Sequence, residues 1–187
     1  MKLLLASKSP RRRQLLSQLG YPVEFVDLDV DEHVSNGTPA AAMAELIARR
    51  KADAYPKDLI SDEAVVVTAD TVVVLDDQPL GKPHSRQEAI DMLCALSGRH
   101  HSVYTGVCLR SSNKTVHFSE KTDVHFRSLS DEEIIYYVDT YHPFDKAGAY
   151  GIQEWIGMVG ITRIDGCYYN VMGLPLAALY SHLQAFK

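Results

Sequence analysis

The sequence predicts an α/β protein built on a mixed β-sheet. Three observations carry that expectation. Helical and extended patterns alternate along the chain, a β-hairpin pattern spans 103–126, and no repeat or low-complexity linker interrupts the 187 residues. Interleaved elements call for a sheet with flanking helices, and the hairpin excludes a purely parallel, doubly wound sheet. The length allows one sizeable core, in one domain or two.

The chain opens as strand, turn and helix. Lys2 to Ala6 is a short apolar run suited to a buried strand. Ser9 caps a helix whose first residue is Pro10, where a missing N–H costs nothing. Leu15, Leu16 and Leu19 mark its inner face and Gly20 its stop. Tyr21 to Val30 alternates as a second strand. Thr38 and Pro39 begin a helix expected to turn Met43, Leu46 and Ile47 inward, with Lys51 near its end. The run VVVTADTVVVL reads as one buried strand with a polar centre. Asp76 and Asp77 make a turn, and a loop follows through Gly81, Lys82 and Pro83. That stretch, 76–84, is where a boundary between two lobes would fall.

Ser85 and Glu88 form a capping box before a helix carrying Ala89, Ile90, Leu93 and Leu96, ended near Gly98. Residues 103–109 and 115–126 read as paired strands around a Ser-Ser-Asn-Lys turn. Ser130 and Glu133 repeat the capping box before a helix to about Tyr141, limited by Pro143. Gly157 to Ile164 reads as a strand, and Pro175 starts a last helix through Leu183. The count is about five helices and six or seven strands.

The formal charge is −5, with 19 basic and 24 acidic residues. That balance disfavours binding to a nucleic-acid polymer, but leaves room for a local anion pocket. Lys8, Arg11, Arg12 and Arg13 concentrate positive charge at the first helix start. Cations there oppose the helix dipole, so an anion docked at that turn relieves the conflict; a solvated basic face is the plain alternative. Cys94, Cys108 and Cys167 are far apart and odd in number, which fits a reducing compartment. The apolar run of Leu3 to Ala6 is too short for a signal peptide or membrane span, so the expected location is cytoplasmic, with no membrane partner.

Asp70 is the sharpest single candidate for chemistry. It interrupts an apolar strand, where a carboxylate needs a metal, a donor or an opposite charge. It is either a structural hydrogen-bond partner or a group that holds a divalent ion and activates water. Asp31 and Glu32 offer further carboxylates. Arg12, Lys51, Lys82 and Lys146 are cations of the kind that stabilise phosphate charge, each of which is alternatively a solvated side chain. Gly148 and Gly151 allow a tight bend or close backbone approach. Gln153 carries both a donor and an acceptor and can read the edge of a base, or serve as an ordinary loop amide. The sequence lacks GxxxxGK[ST], HExxH and GxSxG, which removes support for a P-loop, a zinc peptidase and a serine hydrolase.

Taken together, SKSPRR at 7–12, ADTVV at 69–73, GKP at 81–83, LSGRHHSVYTG at 96–106, FDKAGAYGIQ at 144–153 and YYNVMGLP at 168–175 resemble the Maf family of nucleotide pyrophosphatases. The resemblance implies an elongated, inosine-triphosphatase-like α/β architecture: one domain over 1–187, with an active cleft between two lobes. It implies hydrolysis of a nucleoside triphosphate at the α–β phosphoanhydride, giving monophosphate and diphosphate. On that basis Asp70, Glu32 and Lys51 are the expected catalytic residues, with Asp70 and Glu32 holding Mg²⁺ or Mn²⁺. Ser9, Arg12, Thr71, Lys82, Lys146 and Gln153 are the expected substrate contacts.

The set Arg12, Thr71, Lys82 and Gln153 is similar to the branch acting on dTTP and UTP rather than 7-methyl-GTP. A homodimer is also implied. The sequence departs from the family at Glu154, Trp155, Ile156 and Gly157, and at Cys167. Trp155 can narrow the cleft, stack on a base or simply pack. Two other readings of the pocket are a house-cleaning pyrophosphatase for modified nucleotides and a nucleotide-sensing regulator of cell division.

Overall fold

The computed structural model describes residues 1–35 and 37–187. Strands β1 (Lys2–Ala6), β2 (Val23–Val26), β3 (Ala64–Leu75), β4 (Gln78–Leu80), β5 (His100–Arg110), β6 (Thr115–Phe126) and β7 (Ile161–Asp165) form one seven-stranded sheet. Its order is β2-β1-β3-β5-β6-β7, with β4 paired to β3 off that path. β1 runs parallel to both β2 and β3, and every other pairing is antiparallel. Helices α1 (Pro10–Ser17), α2 (Ala40–Ala54), α3 (Arg86–Leu96), α4 (Asp131–Tyr141), α5 (Trp155–Gly160), α6 (Tyr168–Met172) and α7 (Leu176–Leu183) flank it. None is long and apolar enough to cross a membrane among the described residues.

β3 organises the whole. Its even residues face α2: Val72 and Val74 pack on Ala40 and Ala44, and Thr68 Oγ1 donates to the Ala48 carbonyl at 2.6 Å. Its odd residues face the other side and divide between two apolar clusters. Val65, Val67 and Ala69 join Leu3, Leu5, Leu15, Leu16, Leu174 and Leu179, which closes α1 and α7 over one half of the sheet. Val73 and Leu75 join Leu93, Leu96, Ile134, Tyr137 and Ile156, which closes α3, α4 and α5 over the other half. Each fully buried leucine or isoleucine contributes about 1.5–3 kcal/mol.

α2 meets the sheet through an alanine stripe. Ala40, Ala44, Ala48 and Ala52 recur every fourth residue and are all buried, whereas Leu46 is exposed and Met43 half-buried. The expected face of Met43, Leu46 and Ile47 holds only for Ile47. The reason is the partner surface: Gly106 on β5 approaches the helix so closely that an added Cβ would stand 2.2 Å from the Glu45 nitrogen. Small residues on both sides bring α2, and Lys51 with it, down onto the strand.

The termini of the helices largely follow the sequence signals. Ser9 accepts from the Arg12 N–H. Ser130 and Glu133 form a reciprocal capping box, and α4 ends at Tyr141 with His142 left-handed. Ser85 accepts from the Glu88 N–H, but the Glu88 carboxylate reaches the N–H of His84 instead of that of Ser85. Asp76 and Asp77 both have positive φ, the conformation of a two-residue hairpin turn, and the stretch expected as loop after them pairs as β4. Three other expectations are corrected. The second strand covers only Val23–Val26, Gly157 to Gly160 is helical with the strand starting at Ile161, and α6 lies where no helix was expected.

The α2–β5 contact generates a prediction. Gly106→Ala places a methyl against backbone atoms that cannot rotate away, so stability falls by about 3 kcal/mol. The urea midpoint measures it; an unchanged midpoint would show that the helix can lift at no cost.

Candidate active site

β3 is paired with β1 only as far as Val67, and with β4 only from Val73. Between these points one edge of the strand has no neighbour, and a cavity of about 350 Å³ opens beside it. From this gap both faces of β3 are reachable. Asp70 comes from one face and Thr71 from the other. The rest of the lining comes mainly from the β1–α1 turn, the loop before α2, Lys51, Lys82, the segment 145–153 and the end of α6 at 171–173. Of the nine candidate residues, all nine line this one cavity: Ser9, Arg12, Glu32, Lys51, Asp70, Thr71, Lys82, Lys146 and Gln153.

The centre is an ion cluster. Lys51, in the last turn of α2, places its Nζ 2.9 Å from Asp70 Oδ1 and 2.6 Å from Glu32 Oε1. Lys51 and Asp70 are mostly buried, while Glu32 is half open to solvent. Burial raises the Glu32 pKa. The Lys51 hydrogen bond and charge, with Lys82 and Arg12 behind them, outweigh that effect and hold it below the ordinary value. The loop bearing Glu32 is itself held from α2. Arg50 donates to the carbonyls of Asp31 and His33, on either side of Glu32, at 3.0 and 2.6 Å. Asp70 lines the cavity, and its Oδ2 makes no hydrogen bond among the described residues.

The cations are not equivalent. Arg12 donates from Nε to Gly173 O, from Nη1 to Ala69 O and from Nη2 to Thr71 Oγ1, each at 2.9 Å. It thus satisfies a β3 carbonyl in the unpaired stretch, and two of its five N–H groups remain. Burial lowers its pKa from the ordinary value, and the charge of Asp70 works against that shift. Lys146 is held between Asp145 at 2.7 Å and Glu154 at 3.0 Å. Arg11 pairs with Asp145, and Arg13 with Asp27. Lys82 is exposed at the cavity and makes no ion pair among the described residues. The carboxylates of Asp145 and Asp27 thus answer two of the three arginines at the start of α1. The Ser9 hydroxyl accepts from Arg12 N at 3.5 Å and keeps its own proton. Gln153 presents an Oε1 that is buried and without a partner among the described residues.

A match to the family model described as Maf-like protein covers residues 2–186. The chain belongs to the Maf family. Relatives named dTTP/UTP pyrophosphatase include one from Bacteroides thetaiotaomicron, 49% identical over 98% of this chain and 95% of its own. Another, from Parabacteroides distasonis, is 50% identical over 99% and 96%. A third, from Flavobacterium psychrophilum, is 44% identical over 97% and 93%. Among solved structures, the Staphylococcus aureus Ham1 protein aligns over 100% of both chains with a TM-score of 0.58 and 16% identity. That likeness concerns the fold alone, and agrees with the mixed sheet and flanking helices expected from the sequence.

Within this Maf chain the two departures are peripheral to the cavity. Trp155 packs edge-on against Tyr136, with ring centroids 4.9 Å apart, and does not line the cavity. Cys167 precedes α6 and exchanges hydrogen bonds with the Thr122 hydroxyl through its backbone. Glu154 matters more than its neighbour: it accepts from Lys146 and from the Tyr137 hydroxyl, which in turn accepts from Gly151 N. This ties the segment carrying Gln153 to α4.

Sequence reading did not single out Arg50, Thr105 or Asn170. Thr105 carried a usable signal, since it interrupts the inward-facing Val103–Val107 alternation as Asp70 interrupts β3. Thr105 Oγ1 lies 2.9 Å from Thr71 Oγ1 and donates to Asn170 O at 3.0 Å.

Among the described residues no group of three His, Cys, Asp or Glu side chains could hold a metal. The donor set is two carboxylates, Asp70 and Glu32, brought together on one ammonium. That set does not fit a structural zinc site. It does fit a hard divalent ion that takes one or two carboxylates and completes its shell with phosphate and water.

Behind Tyr150, which lines the cavity, lies a buried titrating group. His101 is buried, with Nε2 2.7 Å from the hydroxyl of Tyr150, and burial followed by the charge of His100 pushes its pKa down to about 4. The folded value lies below the unfolded value near 6.5, so the unfolded chain binds the extra proton between them. Stability therefore falls as pH drops from about 6.5 toward 4, by up to about 1.4 kcal/mol per pH unit from this residue. Urea unfolding of wild type and His101→Phe between pH 7 and 4 checks it; parallel pH profiles would contradict the assignment.

Proposed function

We propose that this chain hydrolyses dTTP and UTP at the α–β phosphoanhydride, releasing nucleoside monophosphate and diphosphate. The observation that carries this reading is the convergence of Asp70, Glu32, Lys51, Arg12 and Lys82 on one cavity. Relatives at 49–50% identity bear the name dTTP/UTP pyrophosphatase.

The chain's own groups suffice to describe the step. Lys51 fixes Asp70 through Oδ1, which leaves Oδ2 to accept a proton from the attacking water. The water oxygen bonds to the α-phosphorus as the bond to the bridging oxygen breaks, and diphosphate departs with the electron pair. Lys82, the Ser9 hydroxyl and the two remaining Arg12 N–H groups stabilise charge on the polyphosphate. A divalent ion on Asp70 and Glu32, Mg²⁺ or Mn²⁺, would supply charge neutralisation and acidify a water. Thr71 and Gln153 read the pyrimidine. Lys146 acts mainly through the segment it anchors, because two carboxylates already share its charge.

The reading treats 1–187 as one domain with the cleft between two lobes, supported by the two apolar clusters that meet at the cavity. It includes a homodimer, and a cytoplasmic setting in keeping with three unpaired cysteines.

Asp70→Asn keeps the shape of the residue and removes the base. Turnover of UTP should fall by about 10²–10⁴-fold with circular dichroism unchanged. Chromatography of wild-type products should show UMP and diphosphate in equal amounts. Release of UDP and orthophosphate, or full activity in Asp70→Asn, would refute the mechanism. A panel including CTP, 7-methyl-GTP and modified pyrimidine nucleotides settles the preferred base.

A further inference from the structure

Behind Thr71 a line of fully buried polar groups crosses the sheet between its two apolar clusters. Thr71 and Thr105 are directly opposite each other on β3 and β5. Thr105 and Asn170 are fully buried. Asn170 Nδ2 donates to Val103 O at 3.1 Å and to Thr122 Oγ1 at 2.9 Å, which fixes α6 over β5 and β6. The Asn170 carbonyl is thereby held within 3.0 Å of the Thr105 hydroxyl.

The chemistry of these groups sets the direction of every proton. A carbonyl only accepts, and a guanidinium only donates. Thr105 has a single hydroxyl proton, and Asn170 O is the acceptor that can offer nothing in return. With that proton committed, the 2.9 Å contact between the two threonines is made by the proton of Thr71. Arg12 Nη2 already occupies one lone pair of Thr71. Reversing the order forfeits one buried hydrogen bond, equivalent to about a fivefold to tenfold population bias. Thr71 therefore meets the cavity with one free lone pair and no proton to donate.

We propose that Thr105 is a specificity-determining positioning residue: by taking the proton of Thr71, it makes Thr71 an acceptor-only contact for the base. The inference rests on the pyrimidine-nucleotide reading given above. At the centre of the base edge, uracil and thymine carry an N3–H donor, whereas cytosine N3 is an acceptor. An acceptor-only hydroxyl pairs with the former and opposes the latter lone pair to lone pair.

Thr105→Val removes the relay and suits a buried strand, and Asn170 O keeps the Gly173 N–H as partner at 2.9 Å. Thr71 then turns its proton toward the cavity. The ratio of kcat/KM for UTP over CTP should fall about fivefold in Thr105→Val and stay at the wild-type value in Thr105→Ser, which restores the relay. Equal losses on both nucleotides, or a ratio unchanged in Thr105→Val, would overturn the proposal and make Thr105 a packing residue. A wild-type ratio of one would overturn it as well, while leaving the pyrophosphatase reading intact. Wild-type protein that fails to turn UTP into UMP and diphosphate would instead remove the underlying reading.

Discussion

The site exists because one strand outruns its neighbour. β3 has twelve residues, but β1 accompanies it only to Val67 and β4 joins it only at Val73. Backbone groups on that free edge must find partners, since buried polar groups without them are costly. Arg12 meets part of this need by donating to the Ala69 carbonyl. The same gap lets cavity-lining side chains emerge from both faces of the strand. In a fully paired sheet, Asp70 and Thr71 would be separated by the sheet itself. The opening lies just beyond the C-terminal end of β1, in keeping with the general tendency of open α/β sheets to bind ligands outside carboxyl ends of strands.

Holding two carboxylates on one ammonium, with Lys51 and Asp70 mostly buried, is an arrangement that stability alone would not select. Desolvating such groups costs several kcal/mol per ion before attraction offsets it. Here the geometry is imposed from several directions at once. The alanine stripe and Gly106 set the depth of α2, which sets the reach of Lys51. Arg50, one residue earlier, grips the loop of Glu32 from the same helix. Both ends of the Lys51–Glu32 pair are thus fixed by α2, and Asp70 is fixed by the sheet. In the reading proposed above, a cluster so placed exchanges partners with a substrate and its counter-ion, which a surface ion pair of negligible net energy would not do.

Much of this was legible in the chain. Caps and breakers located α1, α3, α4 and the Asp76–Asp77 turn, because those signals act locally. Asp70 stood out because a lone carboxylate in an apolar strand has few bland explanations. What stayed hidden depends on tertiary contact. The helical turn at Trp155–Gly160 follows from Ile156 inserting into the apolar cluster and from Gly157 lying against the Ile152 carbonyl, where an added Cβ would stand 1.8 Å away. No periodicity announces that. Nor does spacing reveal that Leu46 is exposed while four alanines are buried, because the decisive residue is Gly106, sixty positions downstream. Equally, Arg12 could be placed near phosphate by its position, but its bracing of Ala69, Thr71 and Gly173 required the fold.

The balance of charge around the cavity explains why a cationic helper and a strict arrangement go together. Six cations line it: Lys8, Arg11, Arg12, Lys51, Lys82 and Lys146. Four carboxylates oppose them: Asp29, Glu32, Asp70 and Asp145. The surplus of two positive charges is too small to neutralise a triphosphate, and most of the cations are already paired with carboxylates at rest. Two bare carboxylates beside a polyanion would repel it, so Asp70 and Glu32 are compatible with substrate only if positive charge stays with them. Lys51 places one such charge between them. A divalent ion arriving with the phosphates would correct the remainder, so the residues that would hold the ion are the same ones that would exclude the substrate without it. That dependence separates a hydrolytic cleft from a passive anion pocket, which would have no reason to place carboxylates at its centre.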